Sequence, residues 1–258
     1  MPQQISFGDE YVTVPTPGRS PVLPYSVRVS SRARRVRLVM SPREGLVVVV
    51  PRWFRKSSVA EILEEKREWI ARMHEQHREQ RKIRPSALDA PLPRQIRLSA
   101  AQRTWQVRYK SEAADTVRVH EQNGVLTLHG AVWDVALCHE ALRRWLHRTA
   151  KRVFANMLDR VSEETGLRYK SLVVRNQKAR WGSCSRHRII SLNQKAMFLP
   201  PSLVRYLCIH ELCHTRHMNH SPRFWGLVEE FDPRYESHDQ ALQDAWIRYV
   251  PSWAEPSS

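Results

Sequence analysis

No apolar run in this chain is long enough to cross a bilayer. The longest clean stretch, Leu46–Val50, spans five residues, against the roughly 18–20 a membrane helix needs, so neither a membrane span nor a membrane partner is expected. Paired cysteines are missing too. Cys138, Cys184, Cys208 and Cys213 are irregularly spaced, with no C-x-x-C among them. That argues against a disulfide scaffold and a cysteine zinc knuckle. Residues 1–10 have neither the basic start nor the apolar stretch of a secretory signal, and with unpaired cysteines the expected location is cytoplasmic. There is no internal repeat, no long low-complexity tract, and no helix-turn-helix, RNA-recognition or zinc-finger pattern.

Acidic residues are the other scarcity. There are 26 Asp and Glu against 42 Lys and Arg, a net charge of +16. The excess is spread: 23 basic and 13 acidic residues lie in 1–130, 19 and 13 in 131–258. Such a balance favours contact with polyanions, nucleic acid among them; it also describes a solvated Arg-rich surface. At 258 residues and 41% apolar, the chain is long enough for one or two domains and a core that needs no staples.

The pattern divides the chain into a proline-rich tail (1–24), a β-rich region with one helix (25–130), a region of long helices (131–250) and a short tail (251–258). Strands are expected over Tyr25–Met40, which holds Arg28, Arg32, Arg34, Arg35 and Arg37, and over Gly45–Val50. Ser58 is placed to cap a helix with Val59, Ile62, Leu63, Trp69, Ile70 and Met73 on one face. Arg81–Pro93 reads as a basic linker and a soft boundary. Short strands follow between Gln95 and His129, with Asn123–Gly124 as a hairpin turn. A helix then runs from Val135 to Glu164, with Gly166 as its C-cap. Strands at Ser171–Arg175 and Arg188–Asn193 flank a turn at Arg180–Ser185. Further helices are expected over Pro201–Met218, Pro222–Phe231 and His238–Tyr249.

The chemistry is concentrated in His210-Glu211-Leu212-Cys213-His214, an H-E-x-x-H. On a helix, residues i and i+4 share a face, so two imidazoles can bind one tetrahedral metal ion. The Glu beside the first His is then placed to act as general base on a water activated there. With 12 His in the chain, random placement yields about 0.04 such motifs. His220 follows six residues after His214. A helix end near Met218–Asn219, with Asn tolerating a left-handed turn, would swing His220 back as a third ligand. His217, Glu229 and Glu230 are the alternatives. The H-E-x-x-H-x5-H spacing is that of the metzincins, but His217 stands where they carry Gly and no Met-turn follows.

Arg180-Trp181-Gly182-Ser183-Cys184-Ser185, Ile190-Ser191-Leu192-Asn193, His210–His214 and Asn219-His220-Ser221-Pro222-Arg223-Phe224-Trp225, in this order, closely resemble the YgjP-like metal-dependent hydrolases. These are relatives of the SprT-like and WLM zinc metallopeptidases. The resemblance covers roughly residues 25–250. It implies an α+β, zincin-like fold with an active-site helix beside a small sheet, preceded by a β-rich N-terminal subdomain. It implies one zinc ion on His210, His214 and His220, with Glu211 as catalytic base, and peptide bonds of a protein or peptide as substrate. SprT-like and WLM relatives include proteases acting on DNA-bound proteins, so the basic N-terminal region is a candidate for contact with nucleic acid. The competing reading is a basic nucleic-acid-binding protein whose His-ligated zinc is structural.

Other residues carry weaker expectations. Asn193 is a candidate to hold substrate backbone, on a strand that could pair with an extended peptide. Tyr235 and Arg216 are candidates to stabilise an oxyanion, and Asp232 or Asp239 to orient a ligand imidazole. Arg180–Ser185 reads as a substrate element or as a buried turn that packs Trp181. Cys184, Cys213, Phe224, Trp225 and Val228 read as packing, and His238 as surface or support for a ligand.

Overall fold

The computed structural model describes residues 10–13, 22–31, 33–41, 45–54, 58–82, 88, 90–178 and 180–255. The chain divides into two compact units, Met1–Ile83 and Arg84–Ser258. Arg32, residues 83–87 and 89 of the expected linker, and most of the expected N-terminal tail lie outside the described residues. Within that tail, Glu10–Thr13 and residues 22–24 are strand.

The first unit is a four-stranded sheet with two helices. Strands β1 (Glu10–Thr13), β2 (Val22–Ser30), β3 (Arg37–Ser41) and β4 (Gly45–Pro51) lie in the order β1-β2-β4-β3. The single strand expected over Tyr25–Met40 is therefore two, on either side of β4. The valine run of β4 makes it the central strand: β-branched side chains suit a strand covered on both sides. Leu46, Val48 and Val50 pack with Val59, Leu63 and Ile70. The expected helix is broken at Lys66 into α1 (Val59–Glu65) and α2 (Arg67–Lys82), and Ser58 makes no side-chain cap.

The second unit is α+β. A four-stranded sheet, order β5-β6-β8-β7, is formed by β5 (Gln95–Leu98), β6 (Arg103–Ser111), β7 (Val117–Gln122) and β8 (Val125–Gly130). Asn123 and Gly124 both take positive φ, 48° and 77°, as a two-residue hairpin turn demands. One face of this sheet shares a core with the 31-residue α3 (Val135–Thr165). Residues 95–130, grouped by sequence with the front of the chain, thus complete the core of the helical region. Asp134 starts α3, its Oδ1 accepting from the amides of Ala136 (2.8 Å) and Leu137 (3.1 Å). Gly166 ends it in the left-handed conformation.

A smaller sheet follows, β9 (Ser171–Arg175), β10 (Gly182–Cys184) and β11 (Ile189–Asn193), with β11 in the middle. Then come α4 (Pro201–Cys213), α5 (Pro222–Phe231) and α6 (Tyr235–Tyr249). The expected C-terminal tail proves part of the core: Trp253 is 2% exposed and Ala254 fully buried. Arg143 donates to the carbonyls of Trp253 and Glu255, and Asn176 to that of Ala254. The Lys195 ammonium, fully buried, pairs with Glu255 at 2.9 Å.

Candidate metal centre

Helix α4 begins on Pro200-Pro201, whose fixed φ suits a first turn that needs no amide donor, with Pro201 at its start. Leu203, Val204, Leu207, Ile209 and Leu212 sink it into the core. The helix is buried almost all round, and Tyr206, His210 and His214 follow one another at one-turn spacing along the face they share with Leu203 and Leu207.

The helix stops at Cys213, earlier than the sequence suggests. Thr215 N–H donates to Leu212 O (2.9 Å) and Arg216 N–H to Cys213 O (3.0 Å), tightening the last turn. The Thr215 hydroxyl also donates to Leu212 O (2.7 Å). Asn219 does not adopt positive φ; the reversal is made by these tight turns and by the start of α5 at Pro222.

This path brings His220 back to His210 and His214, with the ligating nitrogens of all three within 4.8 Å of one another. His210 Nε2 and His220 Nε2 are 3.1 Å apart. A tetrahedral zinc with bonds of 2.0–2.1 Å would hold its nitrogens about 3.3 Å apart, so the donor set fits one such ion. His217 contributes its carbonyl instead of its ring: His214 Nδ1–H donates to it at 2.9 Å, leaving Nε2 bare. His210 Nδ1 faces the Tyr206 hydroxyl at 3.4 Å, and that hydroxyl donates to Asp239 at 2.9 Å. Burial and the facing rings of His214 and His220 push His210 down to about 3, and burial also lowers His214. Both rings are therefore neutral, the state that ligates metal. Glu229 and Glu230 are exposed and stand outside the cluster.

Glu211 is buried, 4% exposed, and its Oε2 has no hydrogen-bond partner. A buried acceptor left open in this way calls for a ligand or water. Oε1 is cradled by Gly182, where a Cβ would stand 2.5 Å away. Burial lifts this carboxyl to about 8, against the pull of the Arg180 guanidinium. The Arg180–Ser185 segment therefore meets the motif at its glycine. Its Trp181 packs on Trp246 (4.5 Å between ring centroids) and donates to Leu242 O (3.1 Å), the buttressing role.

Phe224 and Trp225, read from sequence as packing, wall the site. Phe224 stacks on His214 at 4.4 Å and meets His210 and His220 edge-on; Trp225 stacks on His220 at 5.5 Å. Tyr235 stacks on Trp225 at 5.4 Å, one ring removed from the imidazoles. Arg216 is exposed.

Three expectations change. Asn193 is fully buried, and its amide donates to the carbonyls of Gln177 (2.8 Å) and Arg180 (2.9 Å) while its Oδ1 accepts from Lys195 N–H. Its side chain is engaged by Gln177, Arg180 and Lys195 and turned away from solvent. Strand β11 is paired on both sides; the unpaired edge beside Glu211 belongs to β10. Asp232 holds His238 (2.7 Å), whereas Asp239 reaches His210 through Tyr206. For Tyr206 the i−4 spacing from His210 is the one signal in the sequence. Burial raises Cys184 to about 11, and Cys208 and Cys213 to about 12, so the thiols stay protonated and serve as packing.

The family of YgjP-like metallopeptidase domains matches residues 34–245. Comparison with curated proteins finds no match. Among solved structures, the metallopeptidase zymogen of Pyrococcus abyssi abylysin is 22% identical and aligns over 38% of this chain and 98% of its own, with a TM-score of 0.34. The zymogen of Methanocaldococcus jannaschii jannalysin is 14% identical over 35% and 93%, with a TM-score of 0.32.

Proposed function

Because the chain belongs to the YgjP-like metallopeptidase family, we propose that it cleaves peptide bonds with one zinc ion held by His210, His214 and His220. The observation that carries this reading is the buried Glu211 carboxyl with an open oxygen, next in the chain to His210 of the three clustered imidazoles. A zinc ion bound there would supply Lewis-acid polarisation of the scissile carbonyl and a water acidic enough to attack it. Glu211, which burial holds at about 8 and which a bound cation would return to the carboxylate, takes that water's proton at Oε2 and passes it to the leaving amine. Tyr206 and Asp239 fix the His210 ring, and the His217 carbonyl fixes that of His214. An extended peptide adds to the open edge of β10, which runs beside Glu211 at Gly182. Tyr235 is the proposed oxyanion donor.

A structural zinc in a nucleic-acid-binding protein would close its fourth position with a protein ligand. It would give a buried Glu no role, and His220 is solvent-exposed. The test is casein hydrolysis by zinc-loaded protein. Glu211→Gln is expected to keep the metal and abolish cleavage. Equal zinc content in both proteins, with turnover in neither, would transfer the site to the structural reading.

A further inference from the structure

Within the second unit, and among the described residues, the sheet β5-β6-β8-β7 packs against the core with one face. Trp105 and Val107 of β6, Leu126 and Leu128 of β8, and Val117 of β7 point into the core. Strand alternation sends the intervening side chains the other way. Their register is regular: Lys110, His129 and Arg118 form one row across β6, β8 and β7, and Arg108, Thr127 and His120 form the next. On the β5 side Arg97 stands opposite Thr104.

The four cations Arg97, Arg108, Lys110 and Arg118 are exposed. Among the described residues none of them has an ion-pair partner. No carboxylate occupies the outward positions of these strands. Glu121 of β7 is turned to the core side, where it accepts from the indoles of Trp105 (2.8 Å) and Trp145 (2.9 Å). Glu112, past the end of β6, is bonded to His129 (2.9 Å).

We propose that this face binds the sugar-phosphate backbone of single-stranded nucleic acid. Unpaired cations in a flat field, with threonine and glutamine between them, match phosphate and sugar oxygens. The two rows lie about 7 Å apart along the strands, and Lys110 and Arg118 about 10 Å apart across them, a spacing that long basic side chains bridge to successive phosphates. His120 and His129 offer rings on which bases can stack. A duplex is read by an element that enters its groove, and a four-stranded face has none; an extended single strand lies across it. A bilayer would require apolar groups to insert, and Val125 is the one aliphatic residue facing outward. The proposal stands independently of the peptidase reading, because neither metal nor Glu211 enters it.

The test is fluorescence anisotropy of the full chain with a labelled single-stranded DNA of about 20 nucleotides across a salt series. Wild type is expected to bind with steep salt dependence. Arg108→Gln/Lys110→Gln/Arg118→Gln is expected to lose about tenfold or more in affinity, with the salt slope smaller by about 2–3. The charge-matched Arg148→Gln/Lys151→Gln/Arg152→Gln variant, on the exposed side of α3, is expected to bind like wild type. Absence of binding by wild type, equal losses in the two variants, or tighter binding to phosphatidylserine vesicles than to DNA would each overturn the proposal.

Discussion

Glu211 is held in a slot whose far wall is a missing side chain. In Gly182→Ala the new Cβ would meet Oε1 at 2.5 Å, Cδ at 2.9 Å and Cγ at 3.0 Å. No real contact is that short, and a buried carboxylate has little room to retreat. If Glu211 is the base proposed above, the expected outcome is a fall in kcat of at least about tenfold with metal content unchanged, because only that carboxyl moves. Tyr206→Phe acts on the proposed metal ligand His210 instead. It deletes the hydroxyl between His210 and Asp239, and support of this kind is worth about 10–100-fold in metal affinity or activity; zinc competition with a chelator measures it. These roles differ in how legible they are. His210, Glu211 and His214 are readable because helical spacing alone puts them together. Gly182 is not, since its value lies in what it leaves empty for a residue 29 positions away. Asn193 is misread because an amide can serve a substrate or the protein's own carbonyls, and only the fold says which are near.

At the scale of elements, the site depends on where α4 stops and α5 starts. A helix continued to Met218 would carry His220 away from His210. The tight turns at Thr215 and Arg216 prevent this, and Phe224 in the first turn of α5 locks the three rings in place. The anchor beneath α4 is α3, whose start rests on one carboxylate. Asp134→Ala removes the acceptor of two amide hydrogen bonds and is expected to cost about 1 kcal/mol, read as a lower urea midpoint at unchanged slope. The hairpin turn and the ends of α3 are predictable from Asn123–Gly124 and Gly166, since their backbone demands are local. The division of Tyr25–Met40 into two strands is not, because it depends on β4 lying between them.

At the scale of the molecule, the C-terminal segment closes the second unit. Glu255 neutralises Lys195 at 2.9 Å and accepts from the Trp246 indole at 2.6 Å, while the ammonium also lies over the Trp246 ring at 4.3 Å. Glu255→Ala leaves that ammonium buried without its carboxylate and is expected to cost about 3–5 kcal/mol, measured by urea denaturation. The double change Lys195→Met/Glu255→Leu is expected to recover most of the loss, since an apolar pair of similar volume replaces a buried ion pair.

Helix spacing, capping residues, turn residues and the H-E-x-x-H motif follow from the sequence by itself, because each depends on neighbours within about a turn of chain. Tertiary structure alone decided what lies between distant segments: Gly182 against Glu211, Asp239 behind Tyr206, and Glu255 on Lys195. It also decided that the basic residues of β6 and β7 share one sheet face. Those pairings arise from packing a common core, and no local pattern encodes which segments that core will bring together.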